Sequence, residues 1–199
     1  GINRLSIGIQ SFHDQHLQKL GRVHSGDEAR RAIEIARQAG FDNLNLDLMF
    51  GLPAQTTQQA LADIATALSF APSHLSFYQL TLEPNTYFHR YPPALPEDDA
   101  LYAMQKACQQ KLAEHGYQQY EISAYAQAGK QPRHNLNYWQ FGDYLGIGAG
   151  AHGKISQRLP DSIIRTSKPK NPQQYLSQQA GLSETIAVEQ LPLEFVMNQ

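Results

Sequence analysis

Leu5, Ile7 and Ile9 alternate with Ser6, Gly8 and Gln10, the two-residue period that gives a strand one apolar and one polar face. Ser25 and Glu28 have the spacing of a capping box. The helix they open carries Ala29, Ala32, Ile33 and Ala36 on one side and is expected to stop at Gly40. In "NLNLDLMFGLP", Leu44, Leu46 and Leu48 point one way and Asn45 and Asp47 the other, until Gly51 and Pro53 end the strand. Thr56 and Gln59 suggest a second capping box, followed by Leu61, Ile64, Ala65 and Leu68 on one helical face. "HLSFYQLTL", residues 74–82, reads as a third strand. Strand, helix, strand, helix, strand without tight hairpins predicts βαβ units and a parallel sheet. Two architectures accommodate that order. Polar residues on one strand face suit a barrel with its site at the strands' C-terminal ends, whereas an open doubly wound sheet binds at a switch point. No GxGxxG turn joins a strand to a helix here, which favours the barrel.

After Pro84 the pattern changes. "YPPALPEDD" is a proline-rich connector into a helix from about Asp98 to His115, with Leu101, Met104, Cys108 and Leu112 on one face. "YQQYEIS", "RHNLNYWQF" and the glycine-rich "YLGIGAGAHGKIS" follow. "LPDSIIRTSKPKNP" reads as a strand and exit loop, and the pattern from Asn171 onward reads as helical. The expected division is 1–95 for the barrel portion, 96–168 for an α+β accessory region, and 169–199 for the start of a helical domain.

Composition narrows the classes. The 199 residues are 41% hydrophobic and 17% charged with a formal net charge of −2, an ordinary globular balance without the basic stripe of a nucleic-acid surface. No apolar run approaches the roughly 20 residues a membrane-spanning helix needs. The single cysteine, Cys108, excludes an internal disulfide framework and any multi-thiolate metal site made by these residues alone. That usage points to a reducing, cytoplasmic setting. The chain opens without an initiator methionine and closes on a helical pattern that has barely begun, so it reads as an internal piece of a longer protein.

Gln10 closes the first strand on its polar face, and Asp47 lies near the end of the second. In a barrel both look into one mouth, and Arg22, after a short helical stretch, can fold over it. Amide, guanidinium and carboxylate together suit a ligand with vicinal hydroxyls at one end and a carboxylate at the other. A buried polar cluster that merely holds the barrel together uses the same residues.

"GIQSFHDQHLQKLGRVH", "LNLDLMFGLPAQT", "HLSFYQLTLEPNT", "RHNLNYW" and "YLGIGAGAHG", in order and over nearly the whole chain, resemble the radical S-adenosylmethionine proteins related to oxygen-independent coproporphyrinogen III oxidase. The "HNxxYW" set points within that group to HemW-like heme chaperones. The resemblance implies part of a (β/α)6 TIM-like barrel. It also implies S-adenosylmethionine contacts at Gln10, Arg22 and Asp47, with Gly148 and Ala149 near the adenine, unless the glycines there serve tight packing of a strand that joins the barrel to the accessory region. A [4Fe–4S] cluster on a CxxxCxxC loop is implied as well, but no such loop occurs in this chain, so the cluster ligands are expected upstream and this stretch alone is expected to be inactive. His134 is the implied heme contact and candidate iron ligand, with Tyr138 and Trp139 packing on the porphyrin. The alternative is a structural turn plugged by Trp139. His152 offers a second porphyrin contact or a satisfied structural histidine. Heme-accepting proteins, respiratory ones among them, are the implied partners. The rival activity is oxidative decarboxylation of coproporphyrinogen III to protoporphyrinogen IX.

Overall fold

The computed structural model describes residues 1–158, 161–177 and 181–196, which form two compact units, Gly1–Gln131 and Pro132–Gln199. The first unit begins with the expected alternation. Strands β1 (Leu5–Gln10), β2 (Leu44–Phe50) and β3 (His74–Gln79) run parallel, joined by helices α1 (Asp14–Lys19), α2 (Gly26–Gln38) and α3 (Thr57–Ser69). Both capping boxes are present. Ser25 accepts from the Glu28 N–H while Glu28 accepts from the Ser25 N–H, and Thr56 and Gln59 repeat the exchange. These bonds satisfy amide donors that the first turns of α2 and α3 would otherwise leave open.

Behind the sheet, Leu44, Leu46, Leu48, Ile9, Leu75 and Phe77 pack against Ala29, Ile33 and Ala36 of α2 and Ala60, Ile64 and Ala67 of α3. At the far end, Arg37 of α2 donates to the carbonyls of Asp42 at 2.8 Å and Ala71 at 2.9 Å, holding the chain that enters β2 and β3.

The third strand stops at Gln79, three residues short of the predicted 74–82. Leu80 N–H still donates to Phe50 O at 2.9 Å, but the chain then leaves the sheet into an exposed turn at Glu83–Asn85 and the short helix α4 (Tyr87–Arg90). Helix α5 (Asp98–Glu114) buries Leu101, Met104, Cys108 and Leu112, as their spacing predicts. It packs on α3. Strands β4 (Gln118–Glu121) and β5 (Ala124–Ala126) then extend the sheet antiparallel, giving the order β1-β2-β3-β5-β4. The first compact unit runs to Gln131. The outer edge of β1 has no strand partner among the described residues, an open row of amides and carbonyls.

The second unit holds α6 (Arg133–Trp139) and an antiparallel sheet of β6 (His152–Arg158), β7 (Asp161–Ser167) and β8 (Leu182–Ile186). Helix α7 (Pro172–Leu176) precedes β8, and a 3₁₀ turn (Val188–Gln190) leads into α8 (Leu191–Val196). The stretch predicted as helical from Asn171 onward thus contains a strand. "LSETI" has the period of two and finds its partner in β7, and that pairing outweighs the weak helical pattern around it. Among the described residues no helix is long and apolar enough to cross a membrane.

Candidate functional site

Asp47 sits at the middle of the central parallel strand, in register with Gly8 on one side and Ser76 on the other. Gly8 has no side chain and Ser76 a small one, so the carboxylate stands half-open between them. It is held from below. Asn45 Nδ2 donates to Asp47 Oδ1 at 2.6 Å, and Ser6 Oγ donates to Oδ2 at 3.2 Å. Asn45 is itself fixed by buried His74, whose Nδ1 lies 2.5 Å from Asn45 Oδ1 and whose Nε2 lies 2.6 Å from the Tyr120 hydroxyl. Asn45 Oδ1 is an acceptor, so the imidazole donates from Nδ1 and accepts the tyrosine proton at Nε2. The polar faces of β1, β2 and β3 thus form one connected layer opposite the apolar core.

Gln10 ends β1 at a bulge, where the register to β2 skips between Gly8 and Gln10, and it adopts φ +67°. Non-glycine residues rarely take that conformation, and here it turns the buried side chain back over Gly8. A Cβ on Gly8 would come within 2.8 Å of Gln10 Nε2. Tyr78 Oη donates to Gln10 Oε1 at 2.6 Å, which sets the amide nitrogen over Gly8.

Arg22 arrives by a helix-ending motif. After α1, Gly21 takes φ +67°, Gly21 N–H donates to Gln18 O at 3.0 Å and Arg22 N–H to Leu17 O at 2.9 Å. That pair of bonds, with glycine in the left-handed region, turns the chain and presents Arg22 at the surface. Tyr78 connects the three groups. Its hydroxyl is pushed up by burial and then by the Asp47 charge, and drawn down by Arg22 and by the bond to Gln10. The amide, the carboxylate and the guanidinium named from the sequence are thereby brought within electrostatic reach of one phenol. A cleft of about 490 Å³ opens between Gln18–Gly21 and the segment carrying Thr81, Glu83 and Phe88, without Arg22 in its lining.

The other sequence candidates lie in the second unit. His134 and Tyr138, four apart, fall on α6 together with Asn135 and Trp139. His134 is exposed and Trp139 half-buried, and the Tyr138 ring meets Tyr144 edge-on at 4.7 Å. Gly148 takes φ +107° and its N–H donates to the Tyr175 hydroxyl at 3.2 Å, while Ala149 is exposed. Close packing accounts for two other glycines of that stretch: a Cβ would lie 2.3 Å from His152 O at Gly146 and 2.6 Å from Thr166 Oγ1 at Gly153. His152 is exposed at the start of β6.

Among the described residues no group of three or more His, Cys, Asp or Glu side chains could hold a metal ion. Cys108 is buried in the core, its thiol pushed up to about 12 by burial and then by the Asp63 charge. An iron–sulfur cluster of the kind the resemblance implies needs several thiolates, and this donor set does not fit one. The strand "HLSFYQLTL" carries Tyr78, but its pattern does not decide whether that ring faces pocket or core. Sequence reasoning missed Ser6, His74 and Tyr120, whose only signal was polarity on a strand face, and it missed the buried Asp63 of α3.

The family model described as "Radical SAM superfamily" matches residues 1–67. The chain is 50% identical over 205 residues to the heme chaperone HemW of Escherichia coli strain K12, covering 100% of this chain and 53% of that protein. It is 51% identical over 200 residues to the heme chaperone HemW of Haemophilus influenzae, covering 100% of this chain and 52% of that protein. The chain thus spans about half the length of these curated relatives. Among solved structures, the radical enzyme coproporphyrinogen III oxidase (HemN) from Escherichia coli superposes with a TM-score of 0.73 at 22% identity, over 94% of this chain and 46% of that one.

Proposed function

We propose that the chain is part of a radical S-adenosylmethionine protein, a heme chaperone that holds S-adenosylmethionine on its first unit and heme through α6. What supports this reading is the Tyr78 bond to Gln10, with the Asp47 and Arg22 charges acting on the same phenol, in a chain 50% identical over 205 residues to a heme chaperone.

On this reading Asp47 accepts from the ribose hydroxyls, Arg22 pairs with the methionyl carboxylate and Gln10 Nε2 donates to the ligand's oxygens. S-adenosylmethionine supplies homolytic chemistry when bound beside a reduced [4Fe–4S] cluster, whose thiolates are not among these 199 residues. The contribution of this chain is to bind and orient the nucleoside. For heme, the exposed His134 imidazole is the donor to iron, and Tyr138 and Trp139 supply aromatic faces for the porphyrin. The protein works in a reducing, cytoplasmic setting and hands heme to acceptor proteins.

Two measurements on the full-length protein test the proposal. Heme titration of His134→Ala should lose or shift the Soret band, and an unchanged band defeats the assignment of His134. Incubation with coproporphyrinogen III, reductant and S-adenosylmethionine should leave the substrate intact. Formation of protoporphyrinogen IX would replace the chaperone reading with the dehydrogenase one.

A further inference from the structure

Asp63 lies on α3, 1% exposed, among the buried apolar Ala60, Ile64 and Ala67 of its own helix, with His13 Nε2 3.9 Å from its Oδ1. A buried carboxylate costs stability unless its oxygens are satisfied, and well-packed apolar residues often replace buried ionic groups without loss. Both oxygens are used on the turn that leaves β1. Ser11 Oγ donates to Oδ2 at 2.7 Å and Phe12 N–H donates to Oδ1 at 2.7 Å. Ser11 Oγ in turn accepts from His13 N–H at 3.1 Å.

The residue immediately before these anchors is Gln10, at φ +67°. A non-glycine residue keeps that conformation only where its surroundings over-determine it. Other contacts add to the hold. His24 Nε2 lies 3.1 Å from Ile9 O, and a Cβ on Gly26 would come within 2.2 Å of Phe12 O, so α2 presses directly on the same turn. Asp63 is the only acidic side chain of α3 and sends both oxygens to two consecutive residues of this turn.

We infer that Asp63 is a positioning residue for the ligand-binding amide: by holding Ser11 and Phe12 it fixes the bulge that turns Gln10 over Gly8 and onto Tyr78. The inference rests on the proposal that Gln10 contacts S-adenosylmethionine. Asp63 does not touch the ligand and acts through the backbone conformation of Gln10.

The test is a double-mutant cycle on S-adenosylmethionine binding, by calorimetric titration of the cluster-reconstituted full-length protein. Wild type, Gln10→Ala, Asp63→Asn and the double variant are compared at a temperature where circular dichroism shows all four folded. Asp63→Asn should weaken binding about tenfold when Gln10 is present and by less than about twofold when it is Ala, because coupled residues are not additive. If Asp63→Asn does not fold, Ser11→Ala removes one arm of the clamp and carries the same cycle, with about a threefold effect expected. Equal losses in both Gln10 backgrounds, or wild-type affinity in Asp63→Asn, overturn the inference while leaving the ligand assignment intact. Wild-type affinity in Gln10→Ala, or no binding by the wild type, removes that assignment and the inference with it.

Discussion

The Tyr78 hydroxyl donates to Gln10 Oε1 at 2.6 Å, reaching across β2 to tie the third parallel strand to the first. Asp47 stands on the strand between them, and its charge acts on the same phenol. One tyrosine therefore fixes which way the Gln10 amide faces. With Oε1 accepting from Tyr78, the nitrogen lies over Gly8.

Tyr78→Phe removes that control. The half-buried hydrogen bond should be worth about 1 kcal/mol, read as a lower urea midpoint with an unchanged slope. S-adenosylmethionine affinity should fall several-fold as the amide loses its fixed orientation. Unchanged affinity at the reduced midpoint would show that Gln10 is held without the phenol.

His74 supports Asp47 through Asn45, and Tyr120 supports His74. His74→Leu deletes the bonds that the imidazole makes to buried Asn45 and to the Tyr120 hydroxyl, while Ser76 Oγ still donates to Asn45 Oδ1 at 3.2 Å. The expected loss is about 2 kcal/mol, at about 1 kcal/mol for each hydrogen bond lost. Chemical denaturation measures it, and a loss below a few tenths would mean that the relay is not under load.

Asp63 gives the stability a pH signature. Burial raises its carboxyl above the usual 3.8, and the bonds from Phe12 and Ser11 and the charges of His13 and Arg30 only partly offset that. The folded state then binds the proton more tightly than the unfolded chain. This contribution to stability is full below 3.8 and lost as pH rises through the folded value. Measured in a His13→Gln background, the stability of the chain relative to its Asp63→Asn variant should decline as pH rises above the ordinary carboxyl value of 3.8. Cys108 does not titrate near that value, its thiol being pushed up to about 12. A difference that stays constant with pH refutes the assignment.

Lys154 does the corresponding work in the second unit. Its ammonium, 1% exposed, donates to Phe141 O at 2.7 Å and to Asp143 Oδ1 and Ser156 Oγ at 3.2 Å, and lies 3.8 Å from the centre of the Phe141 ring. These bonds fasten the turn that follows α6 to β6. Burial raises the Asp143 carboxyl, but the Ser156 N–H and hydroxyl and Lys154 outweigh it and bring the group below its ordinary value. Lys154→Met should lower stability by about 2 kcal/mol, less than for a fully buried pair because Asp143 can recover water. Amide hydrogen exchange should speed up across 133–144. Protection unchanged there would leave α6 independent of the lysine.

Much of this was legible along the chain. The capping boxes at Ser25 and Thr56, the alternation in β1 and β2, and the apolar face of α5 depend on residues within one or two turns of each other, where steric and hydrogen-bond preferences act locally. The same holds for Gln10 and Asp47 sharing the polar face of neighbouring strands. What the sequence alone could not decide was contact at a distance. Tyr78 meets Gln10 across 68 residues and Asp63 meets Ser11 across 52, and neither pairing has a periodic signature. The early end of β3 and the strand β8 were likewise set by which neighbours were available for pairing. Local pattern determined which side chains face the site, and long-range packing determined which of their atoms are presented there, because an amide or a carboxylate takes its orientation from partners that only the folded chain brings within bonding distance.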